Sequence, residues 1–183
     1  MINLAITADH IRTTLTAYLE AHPEDKASLA PAFDLIHTGA NLSSRREFRG
    51  HATAGAILIG PDGCILHIHR LATGKWLLPG GHLESTDTTL LEAARRELAE
   101  ETGISADTIS PVDGRPLHID IHPIPANDAK GEPNHQHIDF RFLFRTNAGI
   151  GKLQTEEVTD AAWREIDALD DEGLRQRVAQ ALR

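Results

Sequence analysis

The run from Leu77 to Ile104 constrains this chain more than any other stretch. It reads Leu-Leu-Pro-Gly-Gly-His-Leu-Glu-Ser-Thr-Asp, then Thr-Thr-Leu-Leu-Glu-Ala-Ala-Arg, then Arg-Glu-Leu-Ala-Glu-Glu-Thr-Gly-Ile. The second half predicts a helix with defined ends. Thr89 is placed to cap its start, with Glu92 three residues on to complete a capping box, and Gly103 sits where a terminating glycine belongs. Leu90, Leu91, Ala94 and Leu98 supply an apolar stripe for a core. Glu97, Glu100 and Glu101 are spaced i, i+3, i+4, so their carboxylates emerge on one face within a single turn. Like charges so placed cost a helix a few tenths of a kcal/mol per pair, so helix stability alone does not explain them. A divalent cation removes the repulsion, and carboxylate oxygens are the ligands that magnesium and manganese favour.

These residues resemble a Nudix box, the signature of the Nudix hydrolases. The family pattern is a glycine, five residues, a glutamate, seven residues, then Arg-Glu-aliphatic-any-Glu-Glu-any-Gly-aliphatic. Gly81 starts it here, and Arg96, Glu97, Leu98, Glu100, Glu101, Gly103 and Ile104 fill its second part. Two departures stand out. Asp87 takes the place of the first glutamate, and eight residues rather than seven separate it from Arg96. The extra residue falls at the loop-to-helix junction, before the capping box, and leaves the spacing of the three glutamates intact.

The chain has 183 residues, 40% of them hydrophobic, enough for one domain with a real core and a small appendage. Its formal net charge of −9 argues against a nucleic-acid polymer or an anionic membrane as partner. It leaves room for a phosphate substrate, because bound cations invert the local field. Cys64 is the lone cysteine, so a disulfide framework is excluded and a reducing, cytoplasmic setting is expected. The N-terminus, Met-Ile-Asn-Leu-Ala-Ile-Thr, lacks a basic region and a long apolar run, and no stretch approaches the ~20 apolar residues of a membrane span.

Residues 1–50 read as an N-terminal helical extension and 51–183 as the main domain. In the extension Ile11, Leu15, Tyr18 and Leu19 recur at helical spacing, and His22-Pro23 breaks the pattern. A second helix is predicted from Pro23 to about His37, with Leu29, Phe33 and Ile36 on its apolar side. Packing, shaping a pocket and a homodimer contact are all open roles for this pair. Arg45, Arg46 and Arg49 then cluster near His51. A hairpin follows, Ala54 to Ile59 and Cys64 to His69 around Pro61-Asp62-Gly63, with His67 and His69 read as part of an open strand face.

Two further strands are predicted, Leu117 to Ile124 and His135 to Arg145. His118, Asp120 and His122 share a face of the first, and His135, His137 and Asp139 a face of the second. Ile138, Phe140, Phe142 and Phe144 have the opposite parity and belong to the core. If the two strands pair, up to four histidines and two aspartates meet. An exposed polar face, substrate binding and a second metal site are the readings weighed; substrate binding is the expectation taken for His135, His137 and Asp139, with His82 and Arg70 joining them. A final helix is expected from about Asp170 to Leu182.

The Nudix resemblance implies an α/β/α sandwich with a mixed sheet, and water attack on a phosphorus of a diphosphate linkage. The substrate class implied is a nucleoside diphosphate derivative or a nucleoside triphosphate. It implies Mg2+, or Mn2+, held by Glu97, Glu100 and Glu101, with the carbonyl of Gly80 and a later glutamate completing the set. Glu157, six residues before Trp163, is chosen for that position over Glu156. One glutamate of the group, or another close by, serves as general base, and Arg96 orients the carboxylates by charge-assisted hydrogen bonds. A non-catalytic, ligand-sensing Nudix domain is the alternative, one expected to have lost box glutamates that are all present here.

Overall fold

The computed structural model describes residues 5–183. Met1 to Leu4, part of the stretch expected to be helical, lie outside the described residues. Helix α1, Ala8–Ala21, starts where Thr7 accepts a hydrogen bond from the His10 backbone N–H. It buries Ile11, Leu15 and Tyr18, as the spacing predicts. A 3-10 turn, Pro23–Asp25, leads into α2, Lys26–His37, and Tyr18 ties the two together by donating to Asp25 at 2.5 Å. Helix α2 ends at His37, where the sequence places its end. Residues 38–50 form successive turns, closed by backbone bonds such as Gly39 to Ile36 and Gly50 to Glu47. Gly39, Gly50 and repeated polar residues there leave no apolar stripe that would continue the helix.

Strands β1 (His51–Ile59), β2 (Ile65–Arg70), β3 (Lys75–Leu77), β4 (Gly80–His82), β5 (Ser110–Pro111), β6 (His118–Ile124), β7 (His135–Arg145) and β8 (Val158–Arg164) form one hydrogen-bonded sheet. Its main path runs β3-β2-β1-β7-β5, while β4 pairs with β1, β6 with β7 and β8 with β2. The expected hairpin forms between β1 and β2, with Gly63 at a φ of 78° in its turn. Helices α3 (Leu90–Thr102) and α4 (Glu172–Ala181) complete the elements. Among the described residues, no helix is long and apolar enough to cross a membrane.

Contacts divide the chain into two compact units. One comprises residues 1–54, 82–93 and 119–140; the other comprises 55–81, 94–118 and 141–183. The first holds α1 packed on α2, with Leu29 and Ala32 buried. It also contains the N-terminal turn of α3, where Thr89 accepts from the Glu92 N–H at 3.1 Å, and where the Leu90 N–H donates to His10. The second has a core of Ile57, Ile59, Ile65, Leu143, Leu169, Leu174 and Val178. In it β2 is flanked by antiparallel partners on both edges, β3 and β8. This double pairing explains why His67, expected on an open strand face, is instead buried and bonded to the Ile65 carbonyl.

Candidate active site

The glutamate face of α3 belongs to the second unit, and the residues around it come from four places in the chain. Glu101 is fully buried; its two oxygens are held by the Arg70 guanidinium at 2.5 Å and the Gly80 N–H at 3.0 Å. Gly80 has a φ of 154°, open mainly to glycine, and in that conformation its N–H meets Glu101 while its carbonyl accepts from Arg70 at 2.8 Å. Arg70 reaches this point from the end of β2, where pairing with β8 shifts register between His69 and Arg70. Such an irregularity re-aims a side chain without breaking the sheet. The same guanidinium touches Glu157 at 3.3 Å.

Glu97 and Glu100 share a second cation, with Arg96 bonded to Glu97 at 3.0 Å and to Glu100 at 3.1 Å. Burial, with added repulsion from Glu101 and Glu100, raises the Glu97 carboxyl to about 7 even though Arg96 pulls the other way. Burial likewise raises Glu101, against the opposing pull of Arg70 and the Gly80 hydrogen bond. Gly81 lies close against the Glu97 side chain. A Cβ there would lie 2.6 Å from a Glu97 carboxylate oxygen.

The C-terminal end of α3 is stitched to the chain that delivers Glu157. Carbonyls of Ala99, Glu101 and Thr102 accept from the N–H groups of Gly103, Gln154 and Gly151. Gly103 has a φ of 67°, as a terminating glycine should. Glu157 then bonds back to the Gln154 carbonyl, and its own carbonyl accepts from Leu71, one residue past Arg70.

The first unit contains a different cluster. The rings of His51, His82, His135 and His137 crowd together, with His51 and His137 centroids 4.9 Å apart and His82 and His137 5.2 Å apart. His122 lies 5.7 Å from His137 and bonds to Asp120 at 2.8 Å. Burial and the neighbouring imidazoles lower His137 to about 3, and burial chiefly lowers His82 to about 4. Burial also lowers His51.

Of the residues singled out from sequence, Arg70, Gly80, Glu97, Glu100, Glu101, Glu157 and Arg96 fall in one unit. His82, His135, His137 and Asp139 fall in the other. Asp139 accepts from Thr53 at 3.0 Å. The expected meeting of four histidines is corrected in its membership. His118 goes to Arg177 at 2.8 Å and Asp171 at 3.8 Å, while His51 enters the cluster in its place. His51 opens β1, and nothing in its sequence spacing links it to residues some eighty positions later. Asp87 is buried and accepts from the Glu84 N–H at 2.7 Å, closing the loop just before the extra box residue.

Residues 49–183 match the NUDIX domain, and the chain belongs to the Nudix family. A probable DHNTP pyrophosphohydrolase of Lactococcus lactis subsp. cremoris is 34% identical over 106 residues, 55% of this chain and 61% of that protein. Phosphatase NudJ of Escherichia coli is 49% identical over 61 residues, 32% of this chain and 39% of that protein. The chain thus spans less than two thirds of the length of either relative. The fold is that of an Ap4A hydrolase from C. elegans, with a TM-score of 0.55 at 18% identity over 72% of this chain and 96% of that one.

Proposed function

We propose that this chain is a metal-dependent hydrolase that cleaves a diphosphate linkage, in a nucleoside diphosphate derivative or a nucleoside triphosphate, by water attack on phosphorus. The observation that carries this reading is the convergence of acceptors on Arg70. The Gly80 carbonyl, Glu101 and Glu157 all touch one guanidinium, while Glu97 sits half-buried beside them with its charged form disfavoured. An all-oxygen, acceptor-only set of this kind fits Mg2+ or Mn2+. When bound, such cations neutralise phosphate oxygens and lower the pKa of the attacking water.

In this reading Glu97, Glu100, Glu101, Glu157 and the Gly80 carbonyl hold the metal. Glu101 is pre-oriented by the Gly80 N–H, and Arg96 fixes the direction of Glu97 and Glu100. One of the box glutamates accepts the proton of the attacking water. Arg70, once released from its acceptors, is the group that meets a substrate phosphate. Residues 1–50 are an extension to a hydrolase domain spanning 51–183, and the lone Cys64 suits a cytoplasmic setting. The relatives' names, a pyrophosphohydrolase and a phosphatase, support the same class.

A panel of nucleoside diphosphate derivatives and nucleoside triphosphates, incubated with Mg2+ and read by released phosphate products, tests the reading. Hydrolysis of at least one, abolished by chelation and restored by Mg2+ or Mn2+, is expected. Metal-independent hydrolysis would overturn it.

A further inference from the structure

We propose that the protein has a second metal site, chemically unlike the glutamate cluster: a transition-metal centre, best suited to Zn2+, formed by His51, His135 and His137. It does not depend on the hydrolase reading. One ring nitrogen from each of the three lies within 4.8 Å of the others. His51 starts β1, and His135 and His137 lie two apart at the start of β7, so both point to the same side of that strand.

The hydrogen bonds fix which nitrogens are available. Nδ1 of His51 faces the Glu47 carbonyl at 3.1 Å, and Nδ1 of His135 faces the Pro133 carbonyl at 2.8 Å. A carbonyl only accepts, so both Nδ1 atoms carry the proton and both Nε2 atoms present a lone pair. A backbone carbonyl on the far nitrogen is the support that zinc-binding histidines use to hold tautomer and ring orientation. Nε2 of His51, in a side chain 1% exposed, is buried with no hydrogen-bond partner. A buried polar atom left so is costly unless something pairs with it.

Nε2 of His135 and Nε2 of His137 are 3.2 Å apart. Zn–N bonds of about 2.0–2.1 Å in tetrahedral geometry put ligand nitrogens about 3.3 Å apart, so this pair already has the right separation. In the metal-free chain a proton on His137 fills the gap; an ion takes its place and also satisfies His51. Three nitrogens leave one tetrahedral position for water, for an exogenous ligand, or for the adjacent His82. Nitrogen donors favour zinc and its late-transition neighbours over magnesium, so the two clusters select different metals from one mixture. The assignment of these histidines to a metal replaces the expectation that they hold substrate.

The test uses Co2+ as a coloured probe of nitrogen ligation, added to chelator-treated, desalted full-length protein in excess Mg2+ that occupies carboxylate sites. The expected result is one equivalent of Co2+ bound with the visible bands of a four-coordinate, nitrogen-rich site, displaced by Zn2+. His137→Gln and His51→Gln should each weaken that binding at least tenfold, and Glu100→Gln should leave it in place. Because His51 is buried, its variant risks misfolding. The less buried His137→Gln, confirmed folded by circular dichroism, then decides. A folded wild-type protein without the bands, or bands lost in Glu100→Gln but kept in His137→Gln, overturns the site. So does a histidine spectrum that responds to added nucleotide while Co2+ does not bind.

Discussion

Glu97 has a carboxyl displaced upward to about 7 in the folded chain, and this makes a demand on stability that can be measured. Below the ordinary carboxylate value both folded and unfolded chains hold the proton. As pH rises from about 4.5 toward 7, the unfolded chain releases it first, so stability is lost across that window and levels above it. The loss is no more than about 3 kcal/mol, and solvent contact reduces it. Urea titrations of metal-free protein at several pH values should show wild type losing stability relative to Glu97→Gln between pH 4.5 and 7. Parallel curves would remove the burial argument. Glu100→Gln and Glu101→Gln should each cut kcat by more than tenfold, equivalent to about 1.4 kcal/mol of barrier. A smaller loss in either, with the fold intact by circular dichroism, would dismiss that residue as a metal ligand. The three glutamates were legible from sequence because helical spacing is a local code. Arg70 was legible only as a substrate candidate. Its contacts with Glu101 and Glu157 span 31 and 87 residues, a separation at which no periodicity operates. His51 is the same case, its place beside His135 and His137 set by a pairing of β1 with β7 that spacing does not encode.

At the scale of elements, two glycines beside the same helix should respond differently to one added methyl group. A Cβ at Gly81 meets the free end of the Glu97 side chain, which can swing aside. Gly81→Ala is therefore expected to lower kcat while leaving the melting temperature within a few degrees. At Gly103 a Cβ runs into the backbone of Lys152, and the φ of 67° is itself unfavourable for alanine. Gly103→Ala should destabilise by more than about 1 kcal/mol in chemical denaturation, and should also disturb the segment that carries Glu157. The terminating role of Gly103 and the capping by Thr89 were both readable in advance, since caps are written in neighbouring residues. Strand β8 went unread. Its alternation, Val158 to Arg164, mixes acidic and small residues and leaves most of its side chains half-buried or exposed. What makes it a strand is the edge of β2, supplied from elsewhere in the chain.

For the molecule as a whole, the proposed metal site couples ligand binding to folding through the glutamate cluster. With free Mg2+ at about 100 times its dissociation constant, the folded state gains about 2.7 kcal/mol. For a chain of this size that is a rise of several degrees in melting temperature. The rise should be larger at pH 8 than at pH 5, because protons compete for carboxylates that burial already inclines toward the protonated form. Differential scanning fluorimetry at the two pH values checks it. An equal rise at both would place the bound Mg2+ somewhere other than these glutamates. The family match begins at residue 49, close to where the sequence texture changes from helix to strand. Contact units that interleave three segments each are a property of long strands such as β1 and β7 passing through both, and chain order does not announce them.

Arg70 has one consequence that concerns exchange rather than architecture. A guanidinium already seated on Gly80, Glu101 and Glu157 is a tenant, and any cation those oxygens take up must evict it. Apparent metal affinity is then a difference between two occupancies, and metal entry and arginine release become a single event. Removing the tenant should tighten metal binding and weaken the empty protein at once. Arg70→Ala is expected to lower the Mn2+ dissociation constant several-fold by calorimetry while lowering the metal-free melting temperature. Weaker Mn2+ binding in that variant would mean that the arginine is a partner of the ion instead of its rival.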